Sequence, residues 1–452
     1  MRHGIVQKFG GTSVGSADAI RRVGQIVAGA RERAPFVVVS AAGGVTNRLI
    51  ALGEAALAGG DVAEHEREIV ALHRRILADL GLPEDLGDPW LAELDGLARG
   101  IALLKERSPR TADRLASLGE RLSARIVAAH LASLGLPAYA LDAWDAGLET
   151  DARFGCARPL PSTRERIRAA AAAREGLPVV TGFLGREPNG AVTTLGRGGS
   201  DYSAAIFGAA LGVAEIQIWT DVDGVMTADP RQVPAARPVP VLSFAEAAEL
   251  AFFGAKVLHP ATMAPAVKAG IPIRVLNTWR PAEPGTRVVS SLAPDERRVK
   301  SIATKGHIAA VNVVASEMMF QYGFLERIAD AFARHEVVVD VIATSEVSVA
   351  LTVDAAADLR PVVADLAAFS EVSVVRDLAL VSVVGEELRD GLGIQAQIFA
   401  TLAELGVRAE MASYGATRNN LSIVVARERA RDVVDALHER LFGAGAAPAR
   451  RS

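Results

Sequence analysis

Lys8 stands just ahead of Gly10 and Gly11, which are followed by the hydroxyls of Thr12 and Ser13. Glycines let backbone N–H groups approach an anion closely, and a neighbouring lysine adds a point cation. A helical pattern follows, so the stretch reads as a phosphate-handling loop between a strand and a helix start. A plain tight turn of small residues is the competing reading. It is not a Walker A loop, because no Lys-Ser/Thr follows the second glycine. It is not a dinucleotide fingerprint, because the third glycine is missing. Gly11-Thr12-Ser13-Val14-Gly15 does match a nucleophile elbow. That elbow needs an earlier loop to supply an oxyanion donor, and nothing precedes this first strand.

A second dense stretch is Gly196-Arg197-Gly198-Gly199-Ser200-Asp201. Ser200 and Asp201 read as the cap of a helix over residues 204–211. An arginine among three glycines also suits an anionic ligand gripped in two-point fashion. Glu120, Asp201 and Asp221 are the candidate carboxylates, and Lys256 is a second candidate cation. Asp221-Val222-Asp223-Gly224 has calcium-loop residues at the wrong spacing and is set aside. No cysteine–histidine pair, HExxH motif or credible triad is present. The inventory suits phosphoryl transfer, where positioning and charge neutralisation dominate. If the acceptor is a carboxylate, it is already ionised and needs no strong base. Two unit charges about 4 Å apart then repel by roughly 4 kcal/mol at an effective dielectric near 20, so a lysine and a metal must stand between the anions.

These residues need elements to hold them. Apolar runs at residues 5–9, 34–40, 137–141, 177–181, 216–220 and 273–277 read as buried strands. Ligands of open α/β sheets bind outside the carboxyl ends of such strands, which puts Lys8 and Ser40 on one edge. Residues 48–110 read as charge-rich helices without chemistry. Leu115, Leu118, Leu122 and Ile126 form the buried stripe of a further helix. Glu120 lies off that stripe and by itself reads as a solvated carboxylate. From about residue 300 the texture changes: Gly323, Ile328, Phe332 and Val337 recur 70 residues later as Gly393, Ile398, Leu402 and Val407. This reads as a tandem β-α-β-β-α-β pattern, a sensing or dimerising appendage.

The chain has 452 residues, room for two or three domains. Its 50% hydrophobic and 23% charged residues are an ordinary globular mixture. A net charge of −4 gives no reason to expect nucleic acid or an anionic membrane as partner. A single cysteine, Cys156, excludes an intrachain disulfide and fits a reducing cytoplasm. The first strand begins too early for a signal peptide, and no uncharged apolar run is long enough to span a bilayer.

Several blocks together resemble one family. KFGGTSV at Lys8, GERLS at Gly119, TLGRGGSDYS at Thr194, WTDVDGV at Trp219 and FGAKVLHP at Phe253 are similar to the signature blocks of aspartokinases, in the family's order. GFLERIADAFARH at Gly323 and DVIATSEVSVALT at Asp340 resemble the first ACT domain of its lysine-sensitive, single-function class. The resemblance implies an α/β chain: an amino-acid kinase fold, with an open mostly parallel sheet between helices, over residues 1–292. Two α+β ferredoxin-like ACT domains would follow over 300–378 and 379–445, the second completed by a strand at 300–306. It implies transfer of phosphoryl from ATP, with Mg²⁺, to L-aspartate.

By that resemblance Lys8 and Asp201 are catalytic. Ser40, Thr46, Glu120, Phe183, Arg197 and Ser200 would bind substrate. Gly10, Gly11, Ser13, Thr220, Asp221, Met226, Arg231 and Lys256, with Lys8, would serve the nucleotide. Met226 stands where the family commonly has a tyrosine. Met318, Gly323, Phe324, Leu325, Asp340, Thr344, Ser345 and Glu346 would bind L-lysine, and no side chain would ligate a metal directly. A homodimer through the ACT domains, or a tetramer, is implied. A lysine-insensitive paralogue and a catalytically silent amino-acid-binding regulator are the alternatives.

Overall fold

A computed structural model describes residues 3–253, 260–294, 298–315, 318, 322–386, 388 and 392–443. The chain divides into two compact units, each built around its own sheet.

The first unit opens with β1 (Ile5–Phe9), α1 (Ala17–Gly29), β2 (Pro35–Val39), α2 (Val45–Ala58), α3 (Val62–Leu80), α4 (Asp88–Leu104), α5 (Pro109–Ala116) and α6 (Leu118–Ser133). It continues with β3 (Ala138–Leu141), α7 (Thr163–Ala173), β4 (Leu177–Thr181), β5 (Leu184–Arg186), β6 (Val192–Thr194), α8 (Gly199–Leu211) and β7 (Glu215–Thr220). Then come β8 (Val241–Ser243), α9 (Phe244–Phe252, which from Ala245 onward belongs to the second unit), α10 (Pro260–Ala269), β9 (Ile273–Asn277) and β10 (Thr286–Val289). Eight strands form one sheet in the order β3-β4-β2-β1-β7-β9-β10-β8, while β5 and β6 form a separate hairpin. Every pairing in the large sheet is parallel except β9 with β10. β1 and β2 are buried at every position, as expected of strands covered on both faces. Order β4-β2-β1-β7 brings the ends of four parallel strands side by side, which is where the glycine-rich turns sit.

The second unit contains β11 (Ser301–Val314), α11 (Phe324–Arg334), β12 (Val339–Thr344), β13 (Ser348–Asp354), α12 (Arg360–Ala367), β14 (Glu371–Val384), α13 (Leu392–Glu404), β15 (Met411–Tyr414), β16 (Asn420–Ala426) and α14 (Ala430–Phe442). Its six strands are antiparallel in the order β12-β13-β11-β14-β16-β15. β11 and β14 are each long enough to serve both halves. Ile308 to Val314 of β11 pairs with β13, whereas its Ser301 to Lys305 portion pairs with the far end of β14, at Leu380 to Val384. Positive φ at His307 and Asp377 and a shift in register mark the break between the halves. Two separate apolar cores follow, one around Phe332 and Leu351, the other around Ile398 and Leu437.

The packing boundary does not follow the linear boundary at residue 292. Residues 226–239 and 245–253 belong to the second unit, since Ala228 and Val233 join its core and Glu249 bonds Asn420. Among the described residues no helix is long and apolar enough to cross a membrane.

Candidate active site

A cavity of about 710 Å³ lies at the carboxyl edge of the first unit's sheet. It gathers Lys8, Gly11, Ser40, Thr46, Glu120, Phe183, Arg197, Ser200 and Asp201 on one lining, although they span nearly 200 residues of sequence.

Lys8 is the penultimate residue of β1 and is 8% exposed. Its Nζ lies 2.7 Å from Oδ1 of Asp201. Asp201 reaches it from the first turn of α8. That helix starts at Gly199, earlier than the sequence suggests, because Gly198 takes the left-handed conformation (φ 68°) and serves as the cap position itself. Ser200 and Asp201 therefore do not cap; they sit in the first turn, where a carboxylate is favoured by the helix dipole. Arg197 precedes this turn, is exposed, and makes no side-chain hydrogen bond or ion pair among the described residues.

Glu120 enters from α6, a helix buried on most of its circumference. The expectation of a solvated carboxylate is overturned: the residue is 3% exposed and its Oε2 has no hydrogen-bond partner among the described residues. Burial pushes its carboxyl up to about 8, against the opposing pull of the Ala41 backbone and the Lys8 charge. The close approach that buries it depends on Gly119. A Cβ there would lie 2.6 Å from Cβ of Ala41 and 3.2 Å from Val45. Gly119→Ala is expected to push α6 off α2, raising the half-saturating concentration of the cavity's substrate at least tenfold and lowering the melting temperature by several degrees. Parallel initial-rate and thermal-melt measurements check this, and unchanged values in both would remove the packing argument.

Phe183 holds φ at 66°, an uncommon conformation for a bulky residue, pinned by its N–H to Ser203 Oγ (2.9 Å) and by its carbonyl, which accepts from Leu195 N–H (2.8 Å). Gly11 opens a three-residue turn whose leading N–H groups find no partner within it.

Other predicted residues fall elsewhere. The Gly10 N–H already donates to the Trp219 carbonyl. Ser13 is fully buried, with its hydroxyl 2.7 Å from that of Thr278, so it braces the turn and does not face the cavity. Thr220 ends β7, beside β1, and Asp221 follows it, both outside the cavity lining, with the Thr220 hydroxyl donating to Asp221. Met226 and Arg231 lie in the segment that packs with the second unit, and Arg231 is exposed and paired with Asp229 at 2.7 Å. Lys256 lies outside the described residues.

Sequence reasoning missed Asp113, Asn47 and Arg107, all on the lining. Arg107 stands in the stretch read as devoid of chemistry. Asp113 accepts from the N–H groups of Gly155 and Thr194 and from the Thr194 hydroxyl, all at 2.8–2.9 Å. It fastens the β5–β6 hairpin to α5, and no local signal announces a contact made 81 residues away.

In the second unit, Gly323 is the left-handed cap of α11, and Leu325, Thr344, Ser345 and Glu346 are exposed. Met318 is described only by its backbone N–H, which donates to Ala315, and by a place beside the Phe332 core. Phe324 differs from expectation: its ring is buried in that core against Phe369, because α11 turns it inward. Asp340 is also already engaged, 2.5 Å from the Lys305 ammonium.

A model of the amino acid kinase family matches residues 4–277, and one of an ACT domain matches residues 381–441. Aspartokinase 1, chloroplastic, of Arabidopsis thaliana is 39% identical, covering 97% of this chain and 80% of its own. Lysine-sensitive aspartokinase 3 of Escherichia coli is 37% identical, covering 97% of this chain and 99% of its own. The crystal structure of E. coli aspartokinase III with lysine and aspartate, a T-state, superposes with a TM-score of 0.81 at 36% identity, over 97% of this chain and 99% of that one. The R-state of the same protein with aspartate and ADP gives 0.80 at the same identity and coverage.

Proposed function

This chain belongs to the aspartokinases of the amino acid kinase family, and we propose that its large cavity transfers the γ-phosphoryl group of ATP to the β-carboxylate of L-aspartate. One observation carries the reading: a buried Lys8 ammonium, fixed by Asp201, shares a cavity with a buried carboxyl at Glu120 and an unpaired guanidinium at Arg197.

Each group has a part. Arg197 holds the α-carboxylate by two parallel hydrogen bonds. Glu120 takes the α-ammonium, which supplies the positive charge that its buried site lacks. Ser40, Thr46, Phe183 and Ser200 surround the substrate. Lys8 stands between acceptor carboxylate and phosphate, and lowers a repulsion that would otherwise oppose attack. Asp201 positions Lys8. Gly10 and Gly11 shape the phosphate turn that Ser13 braces, and Thr220, Asp221, Met226, Arg231 and Lys256 remain assigned to the nucleotide.

Mg²⁺ belongs to the proposal as the ion that accompanies the nucleotide phosphates. Asp201 is the lining carboxylate suited to its water shell, since Asp113 is spent on the hairpin and Glu120 is held neutral by burial. When bound, the ion supplies further charge neutralisation at the phosphates.

The functional domains are taken as residues 1–292, 300–378 and 379–445, in a cytoplasmic homodimer. L-Lysine is the proposed feedback effector, acting if it binds an inactive arrangement better than an active one. Its site would use Gly323, Leu325, Ser345 and Glu346, with Asp340 receiving the side-chain ammonium only after Lys305 releases it. Lys305→Ala is accordingly expected to lower the lysine concentration for half inhibition about tenfold. An unchanged or weaker inhibition would remove Lys305 as the competitor.

The deciding experiment measures aspartate-dependent ADP release with Mg-ATP, trapping the acyl phosphate with hydroxylamine, with and without L-lysine. Turnover that lysine suppresses supports both parts. Turnover indifferent to lysine overturns the effector, and no turnover in a lysine-binding chain makes it a silent regulator.

A further inference from the structure

A second cavity, of about 220 Å³, is lined by four arginines and one carboxylate: Arg110, Arg114, Arg121 and Arg186, against Glu93. Trp144 forms part of the wall, with the Arg186 guanidinium 4.5 Å from its ring centre. Nearby carboxylates neutralise this set only in part, Glu187 among them through the Arg110 charge. Glu93 is shared between Arg114 (2.7 Å) and Arg121 (2.9 Å), and Asp142 between Arg121 and Arg125. Glu187 spends its oxygens on the N–H groups of Asn189 and Ala191. Asp145 stands near Arg186, Arg125 and Arg121, and burial and its neighbour Asp142 hold its carboxyl up. Arg110 and Arg186 have no side-chain hydrogen bond or ion pair among the described residues, and the Arg186 Nε is wholly buried without an acceptor. A buried guanidinium N–H with no acceptor weighs against the fold unless something accepts from it.

We propose that this cavity binds a small oxyanion carrying two negative charges, a phosphate or a compact dicarboxylate, and that its occupancy is linked to aspartate binding. Planar guanidinium forks recognise such oxygens in pairs. The linkage follows from shared walls. On α5, Arg110 and Arg114 face this cavity, whereas Ala112, Asp113 and Ala116 line the large one. On α6, Arg121 faces here and its neighbour Glu120 faces there. The β5–β6 hairpin gives Arg186 and Val192 to one and Thr194 to the other. Drawing the arginines together around an anion therefore acts on three elements that also shape the aspartate cavity.

The linkage rests on the aspartate reading above; the binding does not. The test titrates the full chain, saturated with Mg-ADP to occupy the nucleotide phosphate positions, with inorganic phosphate and separately with succinate. Ionic strength is fixed with chloride and tryptophan fluorescence is followed. The expected result is saturable quenching by one or both anions, weakened at least tenfold in Arg110→Ala/Arg186→Met. Arg186→Lys, which keeps the charge but loses the fork, should fall between. Tighter saturation by phosphate assigns a phosphate ligand, and the reverse a dicarboxylate. A linear response, or equal affinity in the double variant, overturns the site. Phosphate affinity that is the same with and without saturating aspartate overturns the linkage. A chain that binds phosphate but takes up no aspartate, read separately by calorimetry, leaves the site standing and overturns the aspartate reading instead.

Discussion

Lys8→Met is expected to lower kcat a thousandfold or more while the chain stays folded. Removing one neutral donor from a developing oxyanion costs about 10²–10³ in rate. Lys8 is a cation, not a neutral donor, and its side chain is only 11% exposed, so its loss should exceed that range. The substitution also strands Asp201, whose partner it was. Breaking a buried pair by removing one member destabilises by about 3–5 kcal/mol, and less here because Asp201 keeps some access to solvent. Lys8→Met/Asp201→Asn separates the two effects. The double variant should recover most of the lost melting temperature and none of the lost rate. Recovery of turnover along with stability would mean that Lys8 serves only the fold. Lys8→Arg should fall between, since a guanidinium keeps the charge but is too broad for the place of an ammonium.

Some of this site could be read from the chain and some could not, and the difference lies in the range of the interaction. The turn after β1 announces itself because a buried strand, two glycines and a helix start follow within a dozen residues. The repeat at a spacing of 70 residues is equally visible, since each helix carries its own apolar stripe, and the ferredoxin-like halves follow from it. The environment of Glu120 was hidden. A stripe on α6 predicts one buried face, but α6 is packed against α1, α3, α4 and β3, so the opposite face is buried as well. The start of α8 was misread because Ser200 and Asp201 are good caps in isolation, while the left-handed Gly198 already turns the chain. The arginine cavity was invisible for another reason: its members come from two helices and a hairpin far apart in sequence, in stretches that look like solvated surface.

Glu120→Gln is expected to be more stable than the parent at alkaline pH and nearly unable to bind aspartate. The folded carboxyl titrates at about 8 and the free side chain at 4.5, because burial disfavours the charged form. A group raised in this way contributes its stability in full below pH 4.5, and that contribution is lost progressively as the pH rises to about 8. At one pH unit to about 1.4 kcal/mol the loss is on the order of 5 kcal/mol. Glutamine has the shape of the neutral acid and never ionises, so the variant should match the parent near pH 5 and exceed it at pH 9 by several degrees of melting temperature. Function shows the opposite sign. An aspartate ammonium can enter the site only if Glu120 gives up its proton, so below pH 8 binding releases close to one proton. The parent's affinity should then improve about tenfold per pH unit up to that value. The amide can neither release that proton nor balance the ammonium, so its half-saturating aspartate concentration should rise at least a hundredfold and lose its pH dependence. Calorimetry of aspartate binding in two buffers of different ionisation heat measures the proton directly. A parent that binds aspartate at pH 7 without releasing one would mean that Glu120 does not meet the ammonium, and the substrate's orientation in the cavity would have to be reversed.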